Sequence, residues 1–145
     1  MTRRPLVYVA HPVTTYGTPH ERAVLDRLAV VLRQAELIDP STLYASTDEW
    51  LADWPRMVVT IDALVLFSEP DGTVGAGCLR EMAEVWGWGL PVALFDDTGL
   101  REVRSVRVFP QGQRTPARTA SVAGGRPVDP AALLASSLAR RGDAA

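Results

Sequence analysis

Several residue types are scarce or missing in this sequence. It has no lysine, because all fifteen basic residues are arginine. A Schiff-base lysine and the lysine of a phosphate-binding P-loop are therefore excluded. The single cysteine, Cys78, cannot form an internal disulfide, which fits a reducing compartment. No run approaches the ~20 apolar residues of a membrane span, and the start lacks the apolar segment of a signal peptide. We therefore expect a cytoplasmic protein with no membrane partner.

The net charge is small, and side chains that commonly bind metals through nitrogen or sulfur are few. The formal net charge of −2 gives no electrostatic reason to expect a nucleic-acid polymer as partner. Only His11, His20 and Cys78 offer nitrogen or sulfur ligands, and their spacing matches no metal-site motif. We expect neither a metal nor another cofactor. The 145 residues fit one domain, and a chain of this length buries roughly 68–70% of its unfolded surface without needing a disulfide.

Short apolar runs alternate with helical patterns along the first hundred residues. Four runs have the composition of short strands: 6–10, 35–40, 63–67 and 91–95. The run 63–67 is apolar on both faces, as a central strand is. A capping box opens the first helix, with Thr18 as N-cap, Pro19 at the first helical position and Glu21 on the polar side. Further helices are predicted from Thr47 and over 78–86.

This alternation predicts an α/β fold with a doubly wound, mostly parallel sheet of about five strands and helices on both faces, similar to flavodoxin and Rossmann folds. We expect one domain over 1–145, with its core in 6–98. The remainder, 99–145, is less regular. It contains a strand over 103–109, a loop or mobile hairpin over 111–126, and a final helix over 131–140.

Open α/β sheets bind ligands beyond the carboxyl ends of their strands. Three segments are expected to meet there: one after the first strand, one after the second, and the glycine-rich loop after the third. Glycines let the backbone approach a ligand, and the following helix aims free N–H groups at a phosphate or carboxylate. The equally weighted alternative is that these glycines only form turns. The candidate substrate-binding residues are His11, Pro12, Asp39, Gly72, Thr73, Gly75 and Gly77.

Glu81 is the candidate catalytic residue of this region. It lies early in a helix, where the helix dipole favours the ionised carboxylate. The core face of that helix is assigned to its apolar residues, so Glu81 and Glu84 are expected to project away from the core, near one another. A carboxylate at the mouth of the crevice can act as a nucleophile or a base. The alternative is an ordinary solvated charge in a helix.

Several of these segments together resemble a known family. The order of HPVTTYGTPHE, IDP, DALVLF, SEPDGTVGAG and CLREMAEVWGWGLPV, covering roughly residues 6–95, resembles the nucleoside 2-deoxyribosyltransferase-like superfamily. The resemblance implies a flavodoxin-like fold, a homodimer or higher homo-oligomer, and cleavage of the N-glycosidic bond of a nucleoside or nucleoside 5′-monophosphate. It also implies that Glu81 attacks the anomeric carbon, that Asp71 contacts the sugar or base, and that Tyr16 orients the carboxylate.

Other functions stay open at this point. The chain has no asparagine, so a role for an asparagine donated by a neighbouring subunit cannot be filled. This absence counts against deoxyribosyl transfer in particular and leaves hydrolysis open, so an enzyme with either reaction stays a hypothesis. A non-catalytic module that binds or senses a nucleotide in the same crevice is the main alternative, and a partner-binding domain is a third.

Overall fold

A computed structural model describes residues 3–141 of the chain. One sheet contains seven strands, two more than the five or so predicted, and five helices flank it. The strands are β1 (Leu6–Ala10), β2 (Glu36–Ile38), β3 (Ala63–Leu66), β4 (Thr73–Val74), β5 (Val92–Asp96), β6 (Gly99–Val108) and β7 (Ala120–Pro127). The helices are α1 (Pro19–Val31), α2 (Pro40–Leu43), α3 (Thr47–Thr60), α4 (Ala76–Gly87) and α5 (Pro130–Arg141), with single 3₁₀ turns at Val13–Thr15 and Gln111–Gln113.

The strand order is β2-β1-β3-β5-β6-β7-β4. The first four of these strands are parallel, and β6, β7 and β4 add antiparallel strands at one side. The predicted α/β fold class is therefore confirmed. The two strands missed by the sequence prediction are β7, in the segment expected to be a loop or hairpin, and β4, inside the glycine-rich loop.

Two apolar cores lie on the two faces of the sheet, because successive side chains of β1 point to opposite faces. Tyr8 and Ala10 belong to the core packed against α3 and α4, whereas Val7 and Val9 belong to the core packed against α1 and α5. The helices on both faces are as predicted.

The predicted start of α1 is confirmed in part. The Thr18 side chain accepts a hydrogen bond from the Glu21 N–H at 3.2 Å, and Pro19 begins the helix. Glu21, however, is buried rather than on the solvent side, and its carboxylate accepts the N–H of Gly17 instead of that of the cap residue. This carboxylate is drawn inwards by a second partner, described below.

Two further features concern surfaces. Trp86 and Trp88 are each 57% exposed, so they are not core residues. Within residues 3–141, no helix combines the length and the hydrophobicity that crossing a bilayer requires.

Candidate active site

The carboxyl ends of β1 and β3 lie side by side. Val9 pairs with Val65 and Ala10 with Leu66, and the Phe67 N–H donates to the Ala10 carbonyl at 3.0 Å. From β1 the chain crosses to β2 on one side, while β3 lies on the other side. This is a topological switch point, where the diverging connections leave a crevice at the end of an α/β sheet.

Glu81 is buried beneath this edge, in the second turn of α4. Its side chain is directed towards the core, and the residue is only 5% exposed. The Tyr8 hydroxyl, from β1, and the Trp50 indole N–H, from α3 at 2.9 Å, both donate to Oε2 of Glu81. Two other elements, β1 and α3, therefore fix one carboxylate oxygen of this α4 residue. The expectation that Glu81 projects away from the core is wrong, because α4 packs this side of the helix on the sheet.

The protonation of Glu81 is governed by its burial. Burial raises the pKa of Glu81 to about 7, against the opposing effect of the hydrogen bonds from Tyr8 and Trp50; the negative charge of Glu84 raises it further. The expected effect of the helix dipole, which favours the ionised form, is therefore outweighed. Near neutral pH the acid and the carboxylate are both well populated.

Two tyrosines surround this carboxylate in different ways. Burial and the neighbouring Glu81 charge raise the pKa of Tyr8 above its ordinary value, so its hydroxyl stays a donor. Burial also raises the pKa of Tyr16, and the nearby Glu81 carboxylate raises it further. Tyr16 is therefore near Glu81, but Tyr8 makes the hydrogen bond. Tyr8 was missed from the sequence because a tyrosine within an apolar run is typical of core packing.

His11 leaves the end of β1 on the opposite face of the sheet. It is 3% exposed, and its ring is stacked on Phe67 with centroids 4.5 Å apart and lies against Tyr16 at 4.9 Å. Its Nε2 is 2.8 Å from a Glu21 oxygen and 3.5 Å from an Asp39 oxygen. The predicted binding residues His11 and Asp39 are thus brought together, and Glu21 joins them although the sequence pattern placed it towards solvent.

Asp39 and Pro12 also shape the local backbone. Asp39 is the N-cap of α2, where its carboxylate accepts the Ser41 N–H at 3.0 Å. The Pro12 carbonyl accepts both the N–H and the hydroxyl of Thr15, which closes the 3₁₀ turn after β1. Both residues therefore have structural roles at the crevice edge.

Asp71 lies in the turn before β4 and is bonded within its own neighbourhood. The Asp71 carboxylate accepts two hydrogen bonds from Thr73, one from the N–H at 3.1 Å and one from the hydroxyl at 2.6 Å. It also forms an ion pair with Arg118 at 2.6 Å. The Thr73 and Arg118 donors lower the pKa of Asp71 to about 2. Gly72 has a φ of 87°, which glycine adopts readily, so this position is required by the turn. Asp71 is therefore fixed as a carboxylate that supports the loop.

Gly75, at the start of α4, allows the backbone at Pro116 to pack closely against this helix. A Cβ on Gly75 would lie 2.6 Å from the Pro116 carbonyl oxygen, and that same carbonyl accepts the Ala76 N–H at 3.0 Å. This amide therefore has a partner within the fold. A Cβ on Gly77 would meet only the Trp50 ring, at an ordinary 3.9 Å. The next residue, Cys78, is buried, and burial raises the pKa of its thiol.

No protein-family model matches the chain, and no curated protein matches it at a significant level. The fold is similar to that of a conserved protein from Enterococcus faecalis V583, with a TM-score of 0.52 and 19% identity. That alignment covers 66% of each chain, just under two thirds of the Enterococcus protein. A 2-desoxiribosyltransferase from Leishmania mexicana is also similar, with a TM-score of 0.48 and 9% identity, over 83% of this chain and 80% of that one. The similarity to the Enterococcus protein shows a shared α/β fold alone.

Proposed function

We propose that the protein cleaves the N-glycosidic bond of a nucleoside or nucleoside 5′-monophosphate, with Glu81 as the nucleophile. The observation that carries this proposal is the environment of Glu81: a carboxylate at the switch point of the sheet, 5% exposed, held by donors from two other elements, with its pKa raised to about 7. The sequence resemblance described above independently assigns the same residue to the same chemistry.

The hydrogen bonds of Glu81 favour a nucleophilic role. Tyr8 and Trp50 both bond to Oε2, and within the described part of the chain no donor bonds to Oε1. One oxygen is thus fixed while the other keeps its lone pairs for attack. The hydrogen bonds also limit the rotation of the carboxylate, and such positioning lowers the entropic cost of reaching the transition state.

The proposed reaction has two steps. Glu81 Oε1 forms a bond to the anomeric carbon as the bond from that carbon to the base nitrogen breaks, through an oxocarbenium-like transition state. The base leaves with the bonding electron pair and takes a proton from the solvent. Water, or a second base, then attacks the anomeric carbon of the ester and loses a proton to the solvent, which releases the Glu81 carboxylate and retains the configuration of the sugar. Hydrolysis and transfer differ only in this acceptor.

Substrate contacts are proposed at the same edge of the sheet. In this proposal Tyr16, which is half-buried, lies against His11 and is influenced by the Glu81 charge, contacts the sugar or the base. A phosphate at Gly75 would have to displace the Pro116 carbonyl, which already accepts the neighbouring Ala76 N–H. Asp71 reaches a substrate in this proposal only if its pair with Arg118 opens. Gly72, Thr73 and Gly77 stay candidates through their place in the same loop.

One observation favours a second function, a nucleotide-binding module without catalysis. At 5% exposure Glu81 is less open to a substrate than a nucleophile needs at the moment of attack. A binding module would keep the crevice and the loop while Glu81 served mainly to anchor Tyr8 and Trp50. Catalysis is the first proposal because anchoring alone would be met by an amide, without burying a charge.

The test is release of free base from a panel of nucleosides and 5′-monophosphates. The native protein is expected to release base from at least one substrate, and Glu81→Gln to lose that release while keeping the hydrogen-bond acceptor for Tyr8 and Trp50. Glu84→Gln is the control for loss of a charge on the same helix; it is expected to keep base release, with a pH midpoint moved slightly down because the Glu84 charge raises the pKa of Glu81. Base release by Glu81→Gln at the native rate would contradict the role of Glu81. No release from any substrate, with ligand-induced thermal stabilisation by nucleotides, would favour the binding module.

A further inference from the structure

Three ligating atoms converge on the face of the sheet opposite Glu81. His11 Nε2, a Glu21 carboxylate oxygen and an Asp39 carboxylate oxygen all lie within 4.8 Å of one another. They come from the end of β1, the first turn of α1 and the N-cap of α2. Their sequence separations form no local motif, which is why the sequence pattern did not predict a metal site here.

The hydrogen bonds of His11 determine which ring nitrogen is free. Nδ1 lies 2.9 Å from the Val9 carbonyl, which can only accept, so Nδ1 carries a proton. In the neutral ring, Nε2 then presents its lone pair to a Glu21 oxygen at 2.8 Å and an Asp39 oxygen at 3.5 Å. Three acceptor atoms facing one another repel unless a cation lies between them. A single proton on Nε2 would form a hydrogen bond mainly to the nearer carboxylate, that of Glu21, whereas a metal ion would bind all three atoms.

We propose that His11, Glu21 and Asp39 form a binding site for a divalent metal ion of the Zn²⁺ class. One imidazole and two carboxylates are ligand types that Zn²⁺ accepts, and three protein ligands leave a fourth position for water or a substrate oxygen. With bonds of about 2.0–2.1 Å, tetrahedral ligands are separated by roughly 3.3 Å. The observed separations from Nε2, 2.8 and 3.5 Å, bracket that value, so small side-chain movements suffice.

The surroundings of the three ligands are those of a prepared site. Metal-bound histidines usually donate their other N–H to a carbonyl or carboxylate, as His11 does to Val9. The Gly17 N–H orients the Glu21 carboxylate, and the Ser41 N–H orients Asp39. The side chains of Glu21 and Asp39 keep 12% and 20% exposure, which gives an ion a route from solvent.

Zinc binding to the native protein tests this inference without any substrate. After treatment with a chelator, the protein is titrated with Zn²⁺ in a calorimeter, and bound metal is counted by elemental analysis. One Zn²⁺ per chain is expected. Glu21→Gln and Asp39→Asn keep the acceptors for Gly17 and Ser41, so each is expected to fold and yet to bind at least about tenfold more weakly. His20→Gln is the control, because His20 contacts the Ser68 carbonyl outside the cluster and should bind zinc like the native protein.

The inference is overturned if the native protein binds no Zn²⁺, or if all variants bind it equally, since a proton alone would then join the three groups. If a variant fails to fold, the ring-nitrogen NMR signals of His11 in the native protein decide. A zinc-induced change at Nε2, with Nδ1 still protonated, supports the site, and the absence of any change refutes it. Because these measurements involve no nucleoside, their outcome is independent of the proposed catalytic function.

Discussion

Replacing Glu81 by glutamine is expected to stabilise the protein above neutral pH. In the folded state the pKa of Glu81 is raised from 4.5 to about 7, chiefly because burial disfavours the charge. The folded state therefore holds this proton more tightly than the unfolded state. The free energy of unfolding falls as the pH rises from about 4.5 to about 7, and the stabilisation that the protonated form provides at low pH is lost.

The size of the effect follows from that change. A difference of one pKa unit corresponds to about 1.4 kcal/mol, so the stability lost by the native protein between pH 4.5 and 8 amounts to about 3 kcal/mol for this group. Glutamine has no such titration and keeps an oxygen for Tyr8 and Trp50. The variant should therefore match the native protein near pH 4.5 and exceed its stability by about 2–3 kcal/mol at pH 8. For a chain of this length that is a rise in Tm of roughly 6–12 °C.

Urea unfolding followed by circular dichroism at several pH values between 4.5 and 8 measures this difference. Glu84→Gln, with its side chain 38% exposed, shows the effect of losing a charge at the surface of the same helix. A stability difference between native protein and Glu81→Gln that does not change with pH would refute the reasoning. It would mean that the carboxylate of Glu81 is as well solvated as in the unfolded chain.

Three further substitutions test other parts of the structure. Tyr8→Phe removes a donor that lowers the pKa of Glu81, so the pH midpoint of base release should move up by about one unit, because a hydrogen bond to a charged group contributes ~1.5 kcal/mol; an unmoved midpoint would contradict this. Gly75→Ala places a Cβ 2.6 Å from the Pro116 carbonyl oxygen and should lower the free energy of unfolding, measured in urea, by about 1–3 kcal/mol. Gly87→Ala, which has open space around it, should be neutral or slightly stabilising, and equal effects of the two substitutions would refute the close contact at Gly75. Asp62→Asn removes the charge of a buried carboxylate whose two oxygens both accept from the half-exposed Arg3. The free energy of unfolding should fall by about 2–3 kcal/mol, and a clearly smaller loss would contradict a stabilising role for this ion pair.

The parallel part of the fold could be predicted because its signals are local. Each buried strand is a short apolar run, and the cap at Thr18 is visible within four residues. The antiparallel part could not. The segment 120–127 is rich in small residues, and its pairing with β6 is a tertiary contact that sequence composition does not reveal. The two residues of β4 become a strand only because β7 lies beside them.

The candidate site was predicted in place but not in detail. Glu81 is identifiable from its helix and loop, but the apolar stripe of that helix predicts a side chain directed away from the core, and the tyrosine beneath it is not apparent from the sequence pattern. The Tyr8 ring lies in the core and the Trp50 ring packs against it, and only the three-dimensional packing reveals that their polar atoms meet one carboxylate. A phenol in a central strand requires a partner, and that requirement is the signal in the sequence that points to a buried acceptor.

The nucleophilic role of Glu81 is tested most directly by the covalent intermediate. A reaction with an active nucleoside is stopped in acid, and the protein is digested and analysed by mass spectrometry. We predict a peptide containing Glu81 that carries the mass of one sugar residue, and no such adduct in Glu81→Gln. Release of base with the sugar on no residue, or on a residue other than Glu81, would contradict the proposed mechanism.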